Sequence, residues 1–294
     1  MKVFTYWCQE TRRIDRVAVT TRAGSDISVD DAKQKLDQRF LYLAEMRRHA
    51  DSLSDARRQQ IKAFFAEGAT AGDEYQRPIC EEVVKVLDEH NVITRNRYGA
   101  LVLNSEDHVF LDIDFSAPLP LPSIFSRLFL AIAYSGKASG DAATLRQKAL
   151  DRVLLAARLS AFSHLRYRIY ETKQGLRVVV GGAKIPPQSA YMDELCKAFA
   201  VDERYALLCH QQNCFRARLT PKPARLRLAY PAGVRFPYSA ADAARMATWI
   251  QTYNERSAKY SVCRLVTELG GAQSSPILDI HDKLCKVDAA LPLA

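Results

Sequence analysis

From Val109 to Phe115 the chain reads V-F-L-D-I-D-F. Side chains on a strand alternate between faces. Val109, Leu111, Ile113 and Phe115 therefore form one apolar face, and Phe110, Asp112 and Asp114 the other. Large apolar residues at every inward position mark a central strand. Two carboxylates on one face of such a strand repel each other unless a cation is shared between them. Hard oxygen donors suit divalent ions such as Mg²⁺ or Mn²⁺, so Asp112 and Asp114 are a candidate metal-holding or phosphate-linked pair, the alternative being a solvated outer face with both acids idle.

The rest of the pattern alternates helix and strand periods. Lys2–Trp7 reads as a short strand. Ser28-Val-Asp-Asp31 resembles a capping box and opens a helix to about Leu53, with Ala32, Leu36, Phe40, Leu43 and Met46 on one stripe. Ser54 caps a second helix through Phe65, and Gly68 and Gly72 break the chain. Pro78–His90 fits a third helix, with Ile79, Val83, Val86 and Leu87 inward. Tyr98–Leu103 and Val109–Phe115 pair as a hairpin across Asn104–Asp107. Pro118, Pro120 and Pro122 end that strand. Helices are expected over Ser123–Tyr134 and from Asp141 to about His164, joined by Ser135–Gly140.

A second hairpin joins Arg166–Glu171 to Leu176–Val180 and sets Arg177 on the face away from Leu176 and Val178. Helices follow over Ser189–Ala200 and Glu203–Gln211, then a strand over Phe215–Leu219 with Arg216 and Arg218 on one face. Arg225 and Arg227 alternate with Leu226 and Leu228 in the same manner. A helix over Ala240–Arg256, a strand over Val262–Glu268 and a short helix from Leu278 complete the chain. The expected architecture is α+β. A mainly helical region covers 1–95, and a core over 96–294 carries a mixed or antiparallel sheet of two hairpin units with helices on one side.

With 294 residues, 48% hydrophobic and 26% charged, the composition is that of a globular protein. No apolar run reaches the length of a membrane span, and the N-terminus shows no secretory signal. Seven cysteines at irregular spacings suit reduced thiols in a cytoplasm. Cys209 and Cys214 with His210 and Cys196 lack the paired short spacing of zinc sites and read as thiols. No Ser-His-Asp set, Walker loop or dinucleotide fingerprint is present.

Charge changes the picture more. The net charge is +9, and between Arg204 and Ala241 there are seven Lys or Arg and no Asp or Glu. A concentrated basic surface attracts phosphate-bearing partners, and arginine's planar fork suits phosphate better than lysine's point charge. Arg216, Arg218 and Lys222 are the candidate phosphate contacts, with DNA or RNA as partner.

Two hairpins separated by helices, with D-x-D on the first, resemble the catalytic core of archaeo-eukaryotic-type primases and primase-polymerases over about Tyr98–Val180. The first family motif is an apolar strand ending in D-x-D, here Leu111-Asp-Ile-Asp114. The second resembles S-G-R-x-G-x-H, here Thr172-Lys-Gln-Gly-Leu-Arg177, with Gly175 at the glycine and Arg177 at the histidine. The resemblance implies metal-dependent nucleotidyl transfer. Mg²⁺ or Mn²⁺ would sit on Asp112 and Asp114, and Lys173 and Arg177 would meet a nucleoside triphosphate. Asp279 stands where a third acid is needed.

Two other readings use the same residues. Glu171-Thr-Lys173 has the E-x-K spacing of metal-dependent nucleases, with Asp112 or Asp114 as the partner acid. A non-catalytic nucleic-acid or nucleotide binder on the same fold needs only the cations.

Overall fold

The computed structural model describes residues 1–49, 52–65, 77–115 and 142–294. The helices expected over Ser123–Tyr134 and the breaks at Gly68 and Gly72 lie outside these. The chain is α+β with antiparallel sheets, as its pattern requires, but the strands are distributed differently.

The N-terminus forms a two-stranded hairpin, β1 (Tyr6–Ile14) and β2 (Val17–Ser25), in place of one short strand. Its turn residues Asp15 and Arg16 both take positive φ, 47° and 70°. That geometry is the one a two-residue hairpin needs, but neither residue advertises it. Helix α1 (Val29–Arg48) starts at Ser28, whose Oγ accepts from Asp31 N at 3.0 Å. Its Leu36 and Phe40 pack on Ile14 and Ala23 of the hairpin. Helix α2 (Asp55–Phe65) begins after Ser54, as expected.

The helix expected over Pro78–His90 is instead strand β3 (Glu82–Val86) and a turn into β4 (Asn91–Arg95). Among the described residues, 1–95 hold four strands beside two helices, rather than mainly helices. Ile79, Val83, Val86 and Leu87 satisfy a helical period, but Val83, Val84 and Val86 are β-branched and stiff. Asp88 closes the turn by accepting from His90 N and Asn91 Nδ2. Strand pairing with the buried β4 decides the outcome.

Strand β4 pairs with β5 (Leu101–Ser105), and β5 with β9 (Phe215–Arg218). The expected boundary at 95/96 therefore falls inside a hairpin. Strand β6 (Val109–Asp114) does not return along β5. It pairs with β8 (Gly175–Gly181), which pairs with β7 (Arg166–Thr172), which pairs with β10 (Cys263–Leu269). The first expected hairpin is thus split between two sheets, ordered β3-β4-β5-β9 and β10-β7-β8-β6, and β6, expected to be central, is an edge strand whose apolar face is buried by packing across the sheet and not by a second strand neighbour. Both edges of β5 are already paired, so β6 must find another partner. The second expected hairpin, β7–β8, is formed.

Helices cover both faces of the β6 sheet, not one. On the Ile169, Leu176 and Val178 face lie α3 (Ala142–Ala157) and α4 (Ala190–Phe199): Phe199 stacks on Tyr167, and Arg146 pairs with Glu171 at 2.7 Å. On the opposite face lies α7 (Pro276–Cys285), whose His281 packs against Phe110 and Tyr170. Helix α5 (Glu203–Gln212) braces β6: Tyr205 Oη donates to Phe110 O at 2.7 Å, and Asp202 N to Asp112 O at 3.0 Å. The alternation of Arg225 to Leu228 is no strand; Pro223–Leu226 is a 3₁₀ turn packed on α6 (Ala240–Ser257). No helix among the described residues is long and apolar enough to cross a membrane.

Candidate phosphate and metal face

The register places Tyr170, Arg177 and Asp112 opposite one another in a single row across β7, β8 and β6. They share a face, with Asp114 one pleat further along and exposed. Val109, Leu111 and Ile113 point the other way and are buried, as the alternation requires. At the tip, Gly175 lies against β6 so closely that a Cβ would stand 2.2 Å from Ile113 O. Only glycine lets the two strands close there.

Arg177 faces Asp112 across the ladder but its guanidinium reaches deeper. Nη1 donates to Arg218 O at 2.9 Å, meets His281 Nε2 at 2.9 Å and lies 3.7 Å from Cys285 Sγ. Burial works against its charge, but Cys263, Cys285 and Asp112 hold its pKa above the ordinary value. Its side chain is 3% exposed, so it does not reach outward as a triphosphate contact.

The outward cations come from the loop after β9. Tyr253 of α6 donates to Thr220 Oγ1 and Pro221 O, each at 2.7 Å, and Arg256 donates to Arg227 O at 2.9 Å. These bonds fix the loop that carries Lys222 and Arg225. Arg225 Nη2 donates to Gln174 Oε1 at 2.7 Å, which ties it to the β7–β8 turn. Arg218 is pushed down to about 10 by burial and the charge of Arg177, although Asp112 pulls the other way. Its Nε is buried without a hydrogen-bond partner. Lys222 and Arg225 are also lowered, by burial first; Arg218 and Arg225 repel Lys222, while Asp112 and Asp114 attract both residues. Asp114 is raised by burial, then by Asp112 and Asp202, against Lys222 and Arg225.

Arg177, Arg218, Lys222 and Arg225 are therefore close enough to Asp112 to feel its charge, and Lys222 and Arg225 also act on Asp114, which has Asp202 beside it. Low-dielectric surroundings strengthen such fields, and the cations suit an anion with several oxygens. The paired carboxylates, one of them with a raised pKa, are a hard donor set that fits Mg²⁺ or Mn²⁺. Mg²⁺ commonly takes one or two protein carboxylates and completes its shell with water and phosphate.

The other sequence candidates fall elsewhere. Arg216 forks onto both oxygens of Glu81 at 2.7 Å and onto Gln212 Oε1 at 2.8 Å, so its charge is spent inside the protein. Asp279 is exposed in the first turn of α7, not on a strand. Glu171 leaves β7 on the face opposite Asp112 and is held by Arg146. The E-x-K set thus is not assembled with the two acids. Lys173 is exposed in the β7–β8 turn. Arg225 and Asp202 were not singled out. Arg225 sat in a run of arginines with nothing local to rank it, and Asp202 reads simply as the α5 cap, accepting from Tyr205 N at 2.7 Å.

Among the described residues, one group of three ligating side chains has its donor atoms all within 4.8 Å: Cys263, His281 and Cys285. None of these was a candidate. Cys209 and Cys214, which were weighed, are buried thiols. Comparison of the chain with protein-family models, curated proteins and solved structures finds no match.

Proposed function

We propose that the protein is a metal-dependent nucleotidyltransferase of primase-polymerase type, acting on nucleoside triphosphates and nucleic acid. The observation that carries this reading is the convergence of Arg218, Lys222 and Arg225 on Asp112, with Lys222 and Arg225 also acting on Asp114. Acids for a divalent ion beside cations for phosphates are the electrostatic parts phosphoryl transfer needs. When bound, Mg²⁺ or Mn²⁺ would neutralise triphosphate charge and acidify an attacking hydroxyl. Asp112 and Asp114 would hold the ion, Lys222 and Arg225 would hold phosphate oxygens, and Arg218 would set the field beside them. Arg177 keeps Arg218 in place through its carbonyl and takes no part as acid or base, because its charge is retained at every accessible pH.

The test is nucleotide incorporation by the full chain on a single-stranded template with Mn²⁺ or Mg²⁺. Metal-dependent product is expected, and its loss in Asp112→Asn and Asp114→Asn. Absence of product in the wild type, together with salt-sensitive binding of the template, would replace the enzyme by a binding protein on the same fold.

A further inference from the structure

On the face of the sheet that also carries Asp112, Cys263 of β10 and His281 and Cys285 of α7 converge with no role in the reading above. All three are 0% exposed. His281 and Cys285 are four residues apart, one helical turn, and so share the face of α7 that packs on the sheet. Cys263 comes up beneath them from the edge strand.

The histidine is oriented from outside the cluster. Its Nδ1 is 2.8 Å from Asp282 Oδ1, and Asp282 is itself held by Tyr170 Oη at 2.9 Å and by Arg168 Nη2 at 3.0 Å. The Arg177 guanidinium has only donors, so Nε2 is the accepting nitrogen and Nδ1 carries the proton toward Asp282. A carboxylate on one ring nitrogen with the other aimed at sulfur is the arrangement that orients metal-ligating histidines.

A cation already lies against His281, Cys285 and the Arg218 carbonyl. Arg177 Nη1 sits 2.9 Å from His281 Nε2, 2.9 Å from Arg218 O and 3.7 Å from Cys285 Sγ. The cage is built to hold positive charge.

We infer that Cys263, His281 and Cys285 form a buried zinc site, with the Arg218 carbonyl oxygen as the fourth donor. Two thiolates and an imidazole suit Zn²⁺ in preference to Mg²⁺ or Ca²⁺. Zn–S of about 2.3 Å and Zn–N of about 2.0 Å place tetrahedral ligands about 3.3–3.8 Å apart. The sulfur and nitrogen atoms, all within 4.8 Å of one another, reach that by small side-chain rotations. Charge stays balanced. Two thiolates neutralise the ion, their protons pass to solvent, and Arg177 gives up its contacts with His281 and Cys285. The ion would tie β10 to α7 on the sheet face that also carries Asp112, a role separate from nucleotidyl transfer.

The experiment is elemental analysis of the full chain produced with zinc and purified without chelator. About one zinc per chain is expected in the wild type and in a Cys80→Ser control, and little in Cys263→Ser or Cys285→Ser. Because those variants alter a packed interior, the chelator-stripped wild type is also titrated with Co²⁺. Thiolate-to-cobalt charge-transfer absorption with tetrahedral visible bands is expected, displaced by zinc. Asp282→Ala should weaken zinc about 10- to 100-fold, and Arg177→Gln should tighten it by removing the competing cation. A wild type with negligible zinc and no charge-transfer absorption would overturn the site. So would undiminished zinc in the Cys263→Ser/Cys285→Ser double variant, or a Cys263–Cys285 disulfide in freshly purified protein.

Discussion

Asp112 and Arg177 stand directly opposite each other on β6 and β8, yet the Arg177 guanidinium bonds past Asp112 to the Arg218 carbonyl at 2.9 Å. The acid is thereby left to the charges of Arg218, Lys222 and Arg225.

That arrangement makes Asp112 a net stabiliser in the absence of ligand. Asp112→Ala leaves the cations repelling one another and should lower stability by about 1–2 kcal/mol at low salt. The loss should shrink as salt screens the repulsion. Chemical denaturation at two ionic strengths measures it, and an Asp112→Ala protein more stable than wild type at low salt would contradict the electrostatic account.

The arginines of the basic stretch should separate by role. Lys222→Ala and Arg225→Ala should each reduce the slope of log affinity for nucleic acid against log salt by about one, with little effect on folding. Arg216→Ala should do the reverse. It strands Glu81 in a nearly buried pair, where side-chain exposures are 9% and 14%, and should destabilise by about 3–5 kcal/mol. Salt-dependent binding of labelled single strands, with thermal melts of the same variants, distinguishes the two groups.

Gly175→Ala probes the closure of β6 on β8. The added Cβ would stand 2.2 Å from Ile113 O, a backbone atom that cannot rotate away. Overpacking of this kind typically destabilises by about 1–3 kcal/mol, and here it also displaces the strand that carries both acids. A lowered melting temperature together with weakened Mn²⁺ binding is the expected result.

Asp107 supplies a pH dependence away from the candidate sites. Burial raises its pKa, but bonds with His108 at 2.7 Å, Asn91 Nδ2 at 3.0 Å and Ser105 Oγ at 2.9 Å more than offset this, and the net direction is down. A carboxyl depressed in the folded state contributes stability above its unfolded pKa of about 3.9, and that stability is lost as pH falls through the folded value. Asp107→Asn should therefore cost about 1 kcal/mol at neutral pH, modest because the carboxylate is partly exposed. The difference from wild type should vanish in acid below the folded pKa. Urea melts across that range give the comparison.

Local signals were enough for much of the chain. Ser28, Ser54, Ser189 and Asp202 precede helices where a polar cap precedes an amphipathic run, and the alternation of Val109–Asp114 set its buried and polar faces correctly. The Arg166–Val180 hairpin was legible because its turn is short and both arms are β-rich. These features depend on residues within a few positions of one another. What decided the rest is contact between distant segments. Val83, Val86 and Leu87 fit a helical period, and only pairing with β4 makes them a strand. Arg216 and Arg218 are indistinguishable along β9, yet one meets Glu81 and the other lies against Asp112, because different segments pack over each. Cys263, His281 and Cys285 carry no paired spacing at all. They meet because α7 crosses the open face of a sheet whose edge strand is β10, and a side chain's electrostatic partner is chosen by that packing, not by its neighbours along the chain.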